Sequence, residues 1–304
     1  MNDQVSEAFE DFAATIGDSG PVAVVGGKTQ WALGGESSTG TYLVTAPIGI
    51  ISYQAEEMTV RVGAGTTVAD LHAVLAKRGQ RTTLPVRSGG TVGGALMVGH
   101  SSIHRWGRGH LRDALLQANY VSADGQMVKA GGPTVKNVSG FDLCRVLVGS
   151  LGTLGLVGEV ILRTVPIAAH EQWVSATGAQ PWLLQHRLLT ASAVLWDGTT
   201  TWVHLEGHPG DIAADHARIA ADGFEKCDQG PKIPAHRRML PPADLSKLPT
   251  SDVFVAEVGV GVVHQNEPST PRSVSVGVRK LNEQIKTQFD PVGRLNPGRD
   301  PLDS

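Results

Sequence analysis

The chain has 304 residues, 41% of them hydrophobic, and a formal net charge of −3. That length predicts two domains, and the mild acidity gives no electrostatic basis for binding nucleic acid or anionic lipid. No apolar run approaches the roughly eighteen residues that span a bilayer, and the two isolated cysteines, Cys144 and Cys227, cannot by themselves hold an iron–sulfur cluster or a structural zinc.

The first segment, MNDQVSEAFEDFAATIG, reads as an acidic amphipathic helix. It lacks the basic and apolar regions of a secretory signal, so a cytoplasmic location is the default expectation. Pro21–Val25 is a short β-prone run that ends at Gly26-Gly27 and continues into Lys28-Thr29-Gln30. A strand running into paired glycines presents successive backbone N–H groups, and such nests bind phosphate oxygens. The spacing fits neither a Walker A loop nor G-x-G-x-x-G. Strands are predicted over Tyr42–Thr45, Ile48–Ser52 and Met58–Val62, then a helix over Val68–Arg78 with Thr67 as its cap and Gly79 as its stop.

Next comes the stretch Arg87–Asp113, RSGGTVGGALMVGHSSIHRWGRGHLRD. Gly89, Gly90, Gly93, Gly94 and Gly99 stand within eleven residues there, each costing roughly 0.5–1 kcal/mol relative to Ala in regular structure. Such clustering fits backbone that turns sharply or lies directly against a ligand. His100, His104, Arg105, Arg108, His110 and Arg112 follow as potential donors to an anion. His100 and His104 have the i,i+4 spacing of a helical metal pair, but no Glu follows His100, so no metal is expected.

Leu116–Ser122 and Gln126–Lys129 flank Asp124-Gly125, the signal for a type I′ hairpin. Lys136-Asn137-Val138-Ser139-Gly140-Phe141-Asp142-Leu143 leads to a short helix, Asp142–Val148. GSLGTLG then opens a buried strand, Gly155–Val165. Beyond Pro166–Ala169 the glycine clusters stop, which marks the domain boundary. Strands over Gln172–Ser175, Ala193–Trp196, Trp202–Glu206, Val253–Val258 and Gly261–His264, with helices over Pro181–Leu189 and Asp211–Ala221, predict an α+β domain with an antiparallel sheet. Glu267–Arg272 reads as a loop and Val276–Phe289 as a terminal helix.

The ordered series GGKTQ, GAGTTVADLHAVLAKRGQ, GGTVGGAL, HRWGRGHLRD, KNVSGFDL and GSLGTLG resembles the flavin-binding domains of the vanillyl-alcohol oxidase / p-cresol methylhydroxylase type. Within that family it is similar to the branch that includes an FAD-binding subunit of bacterial glycolate oxidase. The likeness runs from Pro21 to Pro166 and returns in the tail FDPVGRLNPGR. It implies an α+β fold: a two-subdomain FAD-binding (PCMH-type) domain over residues 1–168, then a smaller α+β cap over 169–304. It also implies that Gly26, Gly27, Lys28, Thr29 and Gln30 wrap the pyrophosphate of FAD. Pro85, Gly90, Thr91, Val92, Gly93 and Gly94 would line pyrophosphate and flavin, and Gly152, Gly155, Leu156 and Val157 would approach the adenine end. His100, Ser101, His104 and Arg105 are expected to contact flavin or to pack beside it. Arg105 is equally placed for a phosphate, a substrate carboxylate or a salt bridge to Asp113.

Some relatives attach flavin through a histidine after the first Gly-Gly; Lys28 stands there, so the flavin is expected to be noncovalent. The resemblance implies oxidation of a 2-hydroxy acid such as glycolate or lactate. Electrons would pass to a second flavoprotein, an iron–sulfur subunit or quinone, with the chain cytoplasmic or attached to the inner membrane through such partners. His204, His208, His236, Arg237, Arg238 and His264 lie in the second domain, and nothing in the sequence marks one of them as the catalytic base. Two other readings stay open: a self-sufficient flavin alcohol oxidase, and a flavin-loaded subunit that stabilises a catalytic partner.

Overall fold

The computed structural model of the protein describes residues 5–133, 142–268 and 274–303. Lys136–Phe141, singled out in the sequence, lie outside the described residues. Two compact units result: Met1–Ser101 with Leu111–Pro166 and Pro271–Ser304, and Ser102–His110 with Ile167–Thr270.

The first unit is built on a five-stranded antiparallel sheet in the order Ile50–Gln54, Thr59–Gly63, Leu156–Arg163, Leu115–Val121, Met127–Gly131. Leu115–Val121 is buried along its whole length and Leu156–Arg163 along nearly all of it, which explains their apolar composition. Helix Glu7–Ile16, capped by Ser6, buries Phe9 and Phe12 against this sheet, where a side chain at Gly158 would strike both rings. Between Leu115–Val121 and Met127–Gly131 only Gly125 takes a positive φ and Asp124 does not. A type I′ turn needs both, so the hairpin closes differently from expectation, with Ser122 N–H donating to the Gln126 carbonyl across a wider loop.

A second layer pairs Val22–Val24 with Tyr42–Val44 in parallel. The tail extends it: Leu295 bridges Val22 in parallel, Val22 N–H donates to Arg294 O, and Asn296 N–H donates to Val22 O. Arg294, buried to 4% exposure, donates to the carbonyls of Ile16, Gly17, Ser19, Gly20 and Ala123. Asp290 accepts from the N–H groups of Arg294 and Leu295 and from Lys286 Nζ at 2.5 Å. Burial opposes its charge, but the Lys286 ammonium and the two N–H groups outweigh that and hold its carboxyl below the usual carboxylate range. These contacts correct the expected division. The chain after Pro166 does enter a second unit, but the tail, assigned by sequence to residues 169–304, packs into the first.

The second unit is a seven-stranded antiparallel sheet ordered Glu225–Cys227, His170–Thr177, Thr200–Gly207, Ala191–Trp196, Phe254–Glu257, Val262–Gln265, His236–Met239. The two outermost strands were not legible in the sequence, since both are short and polar. One face buries Val174, Val194, Val203 and Val263 with Ile212 and Ile219 of helix Pro209–Ala220. The expected α+β class with an antiparallel sheet is what the chain adopts.

Candidate functional site: a glycine-walled cleft in the first unit

A solvent-open cleft lies in the first unit. Gly26, Gly27, Lys28, Thr29 and Gln30 form one wall, and Pro85, Arg87, Gly90, Thr91 and Gly94 form another. The two walls meet at main chain: a Cβ on Gly27 would fall on the Gly89 carbonyl, and one on Gly26 would overlap the Thr91 hydroxyl. No side chain fits at either position, which is why both are glycine. Lys28 takes a left-handed φ of 54° and turns the wall back on itself.

The walls differ in their hydrogen bonding. Among the described residues, none of the N–H groups of Gly26, Gly27, Lys28, Thr29 and Gln30 has a protein acceptor. Gly26 to Thr29 are exposed, so these donors are open to water or to a ligand and make a candidate anion site. In the second wall several donors are already committed. Gly90 N–H donates to Arg87 O, Val92 to Thr66 O, Gly93 to Ala64 O at 2.7 Å, and Gly94 to Thr91 Oγ1. This wall therefore offers shape and clearance. Thr91 caps helix Val92–Val98, whose Ala95, Met97 and Val98 contribute an apolar floor together with Val68 and Leu151.

Side chains that the sequence did not single out also line the cleft, among them Trp31, Arg87, Asn296 and Arg299. The Arg299 guanidinium lies 4.6 Å from the centre of the Trp31 ring and donates to the carbonyls of Trp31, Leu33 and Gly35. Asn296 Nδ2 donates to Leu151 O at 2.5 Å. The tail thus closes the turn that follows the first wall. Its similarity to the family's C-terminal end was the available signal, though it singled out no residue.

The structure places the other sequence candidates elsewhere. His100 Nδ1 lies 3.1 Å from Gln30 Nε2, and Ser101 Oγ accepts from Leu111 N–H, so both brace the cleft's surroundings. Val92 is buried, and Gly93 packs on Ala64. Gly152 sits on the turn whose neighbour Leu151 reaches the cleft. Gly155, Leu156 and Val157 belong to the core: a side chain at Gly155 would enter the Tyr120 ring, and Leu156 and Val157 are buried in the sheet. Packing against Tyr120 is enough to require glycine at 155.

His104 and Arg105 lie in the second unit, on a short helix that Gly107 lets rest against the main chain of Ala191 and Ser192. His104 Nδ1 is 3.1 Å from Ser192 Oγ, which is itself 2.6 Å from the buried His204 Nδ1. Arg108 forms a two-pronged pair with Glu206. Asp113, offered as a partner for Arg105, pairs instead with Arg145 at 3.0 Å. In the same unit as His104, His264 Nε2 is 2.7 Å from the buried Glu257 carboxylate. Among the described residues no group of three or more His, Cys, Asp or Glu is arranged to hold a metal.

Residues 2–131 match the family model described as FAD binding domain. The chain is 28% identical over 230 residues to glycolate oxidase subunit GlcE of Escherichia coli (strain K12), covering 73% of this chain and 65% of that protein. It is 31% identical over 150 residues to D-lactate dehydrogenase of Archaeoglobus fulgidus, covering 48% of this chain and 33% of that protein. The chain thus spans less than two thirds of these relatives' length. An alkyldihydroxyacetonephosphate synthase structure superposes with a TM-score of 0.68 at 12% identity, covering 94% of this chain and 72% of that one. A carbohydrate oxidase from Microdochium nivale gives 0.53 at 19% identity, covering 68% and 48%. Over residues 2–131, less than half of the chain, the sequence is similar to FAD binding domains, and FAD is the cofactor this similarity indicates.

Proposed function

We propose that the protein is an FAD-dependent oxidoreductase subunit that takes part in oxidising a 2-hydroxy acid such as glycolate or D-lactate. The observation that supports the cofactor's place most strongly is the row of five unpartnered N–H groups in a cleft with no carboxylate among its lining residues. On this reading Gly26–Gln30 donate to the pyrophosphate, and Lys28 and Arg87 add positive charge. Thr91, Met97, Val98 and Leu151 give the flat part of the dinucleotide an apolar bed that excludes water. Bound there, FAD supplies a two-electron acceptor. Lys28 stands where a histidyl link would form, so the flavin is held without a covalent bond.

The similarity to a glycolate oxidase subunit and to D-lactate dehydrogenases supports the substrate class. Cys144 and Cys227 provide no cluster for onward transfer, and burial pushes the Cys144 thiol up to about 11, which removes it from redox chemistry near neutrality. Electrons therefore leave to a partner: a second flavoprotein, an iron–sulfur subunit or quinone. Anaerobic addition of glycolate or D-lactate to the flavin-loaded chain tests the reading. Bleaching of the flavin band by the chain alone assigns it a substrate site of its own. Bleaching only after a partner is added makes it an electron-handling subunit, and no bleaching under either condition rejects the substrate class. Acid precipitation that leaves yellow colour in the pellet would contradict noncovalent binding.

A further inference from the structure

The strap Ser102–His110 belongs to the second unit, whereas the chain on either side of it belongs to the first. Its base is closed by Ser101 Oγ, which accepts from Leu111 N–H at 3.2 Å. Within the second unit its helix, Arg105–Arg108, rests through Gly107 on the main chain of Ala191 and Ser192. Arg108 pairs with Glu206 at 2.7 Å, and His104 Nδ1 lies 3.1 Å from Ser192 Oγ. The last contact does not end at Ser192. That hydroxyl, on a fully buried residue, is also 2.6 Å from Nδ1 of His204, whose ring meets the His104 ring edge-on with 4.6 Å between centres.

A hydroxyl carries one proton, so Ser192 can donate to only one of two imidazoles and must accept from the other. Such a chain takes up one added proton with every atom still paired: His204 donates from Nδ1 to Ser192, and Ser192 donates to His104. The contact to His204 is the shorter of the two, as a charge-assisted bond requires. Charged groups face the pair from each neighbouring element. Strand His170–Thr177 brings Glu171 Oε2 to 3.6 Å from His204 Nε2, and Thr200–Gly207 brings Glu206 Oε2 to 3.9 Å from its Nδ1. The helix supplies Arg108, 2.7 Å from Glu206 and 3.9 Å from Glu171. Burial of His204, 3% exposed, opposes a positive charge there, but two carboxylates against one guanidinium favour it.

We propose that the His104–Ser192–His204 bridge holds a single proton and that this proton fastens the strap Ser102–His110 to the second unit, making the strap a pH-sensitive latch. With the proton in place, His204 answers Glu171 and Glu206 and grips Ser192, which grips His104. Its loss leaves the carboxylates facing a neutral buried ring and weakens the strap's hold. The latch is fully closed below the ordinary histidine range, about pH 6.5, and opens as pH rises through the value at which the folded protein releases the proton. It does so whatever ligand the cleft of the first unit takes.

Amide hydrogen exchange across Ser102–His110 of the full-length protein, corrected for the intrinsic rate and followed from about pH 5 to 9, tests this beside imidazole nuclear magnetic resonance of His204. Strap protection should be constant at the acid end and fall about tenfold as pH rises, with the midpoint of the His204 titration and above about 6.5. Glu171→Gln removes one facing charge at a side chain 63% exposed, and should move both midpoints down together. Ser192→Ala should leave strap protection low at every pH; should that variant fail to fold, Glu171→Gln carries the test. Wild-type protection that does not change with pH, or that rises with it, would overturn the proposal, as would a His204 ring neutral throughout. Strap and imidazole midpoints that part company in Glu171→Gln would reduce the bridge to packing and overturn it as well.

Discussion

The two walls of the cleft are both glycine-rich, yet they do opposite work. In Gly26–Gln30 the N–H groups have no protein acceptor among the described residues, while in Gly90–Gly94 the protein takes up most of them through Arg87, Thr66, Ala64 and Thr91. Glycine in the first wall leaves donors open to solvent or to a ligand. In the second it lets a helix start close against Ala64, with Thr91 as cap. A glycine cluster thus says that backbone comes close to something; the pattern of hydrogen bonds says whether that something is ligand or protein.

The difference can be broken most severely at Gly27. Replacing it with Val drives a side chain into the Gly89 carbonyl and parts the walls, so flavin binding should fall below detection while the far-UV circular dichroism is largely kept. Arg299→Ala comes next. It frees three carbonyls and the Trp31 ring, and should cost about 1–3 kcal/mol of stability with roughly tenfold weaker FAD binding. Calorimetry and flavin titration read the two effects separately.

Gly155→Ala sharpens the contrast from the other side. Its added methyl meets the Tyr120 ring, so thermal unfolding should report a loss of about 1–3 kcal/mol, whereas the folded variant should bind FAD as wild type does. A selective loss of FAD affinity would return Gly155 to the cofactor site.

The smallest effect concerns the tail that holds the first wall. Asp290 is held below its unfolded value, so the stability it contributes is complete above about pH 4 and is lost as pH falls through the folded value. Asp290→Asn should lower stability at neutral pH by about 1 kcal/mol. It should also flatten the acid limb of the stability profile, and wild type should release flavin along that same limb.

Much of this was written locally in the chain. A strand running into Gly26-Gly27, the cap Thr67 and the apolar stretch Leu115–Val121 each depend on neighbours within a few residues. What escaped depends on distant partners. The packing reason for Gly155 shows only once Tyr120, thirty-five positions earlier, is found against it. His104 and Arg108 look like anion donors until Ser192 and Glu206, 88 and 98 positions later, are seen beside that helix. Arg299 carries no local motif that distinguishes a structural arginine from a ligand-binding one. Its partners at Trp31–Gly35 lie at the other end of the chain.

Amide hydrogen exchange of the full-length protein, with and without saturating FAD, tests the central contrast most directly. The account predicts that Gly26–Gln30 exchange freely in the apoprotein and gain strong protection when FAD binds, while Val92, Gly93 and Gly94 are protected in both states. Protection appearing at Gly90–Gly94 and not at Gly26–Gln30 would contradict it.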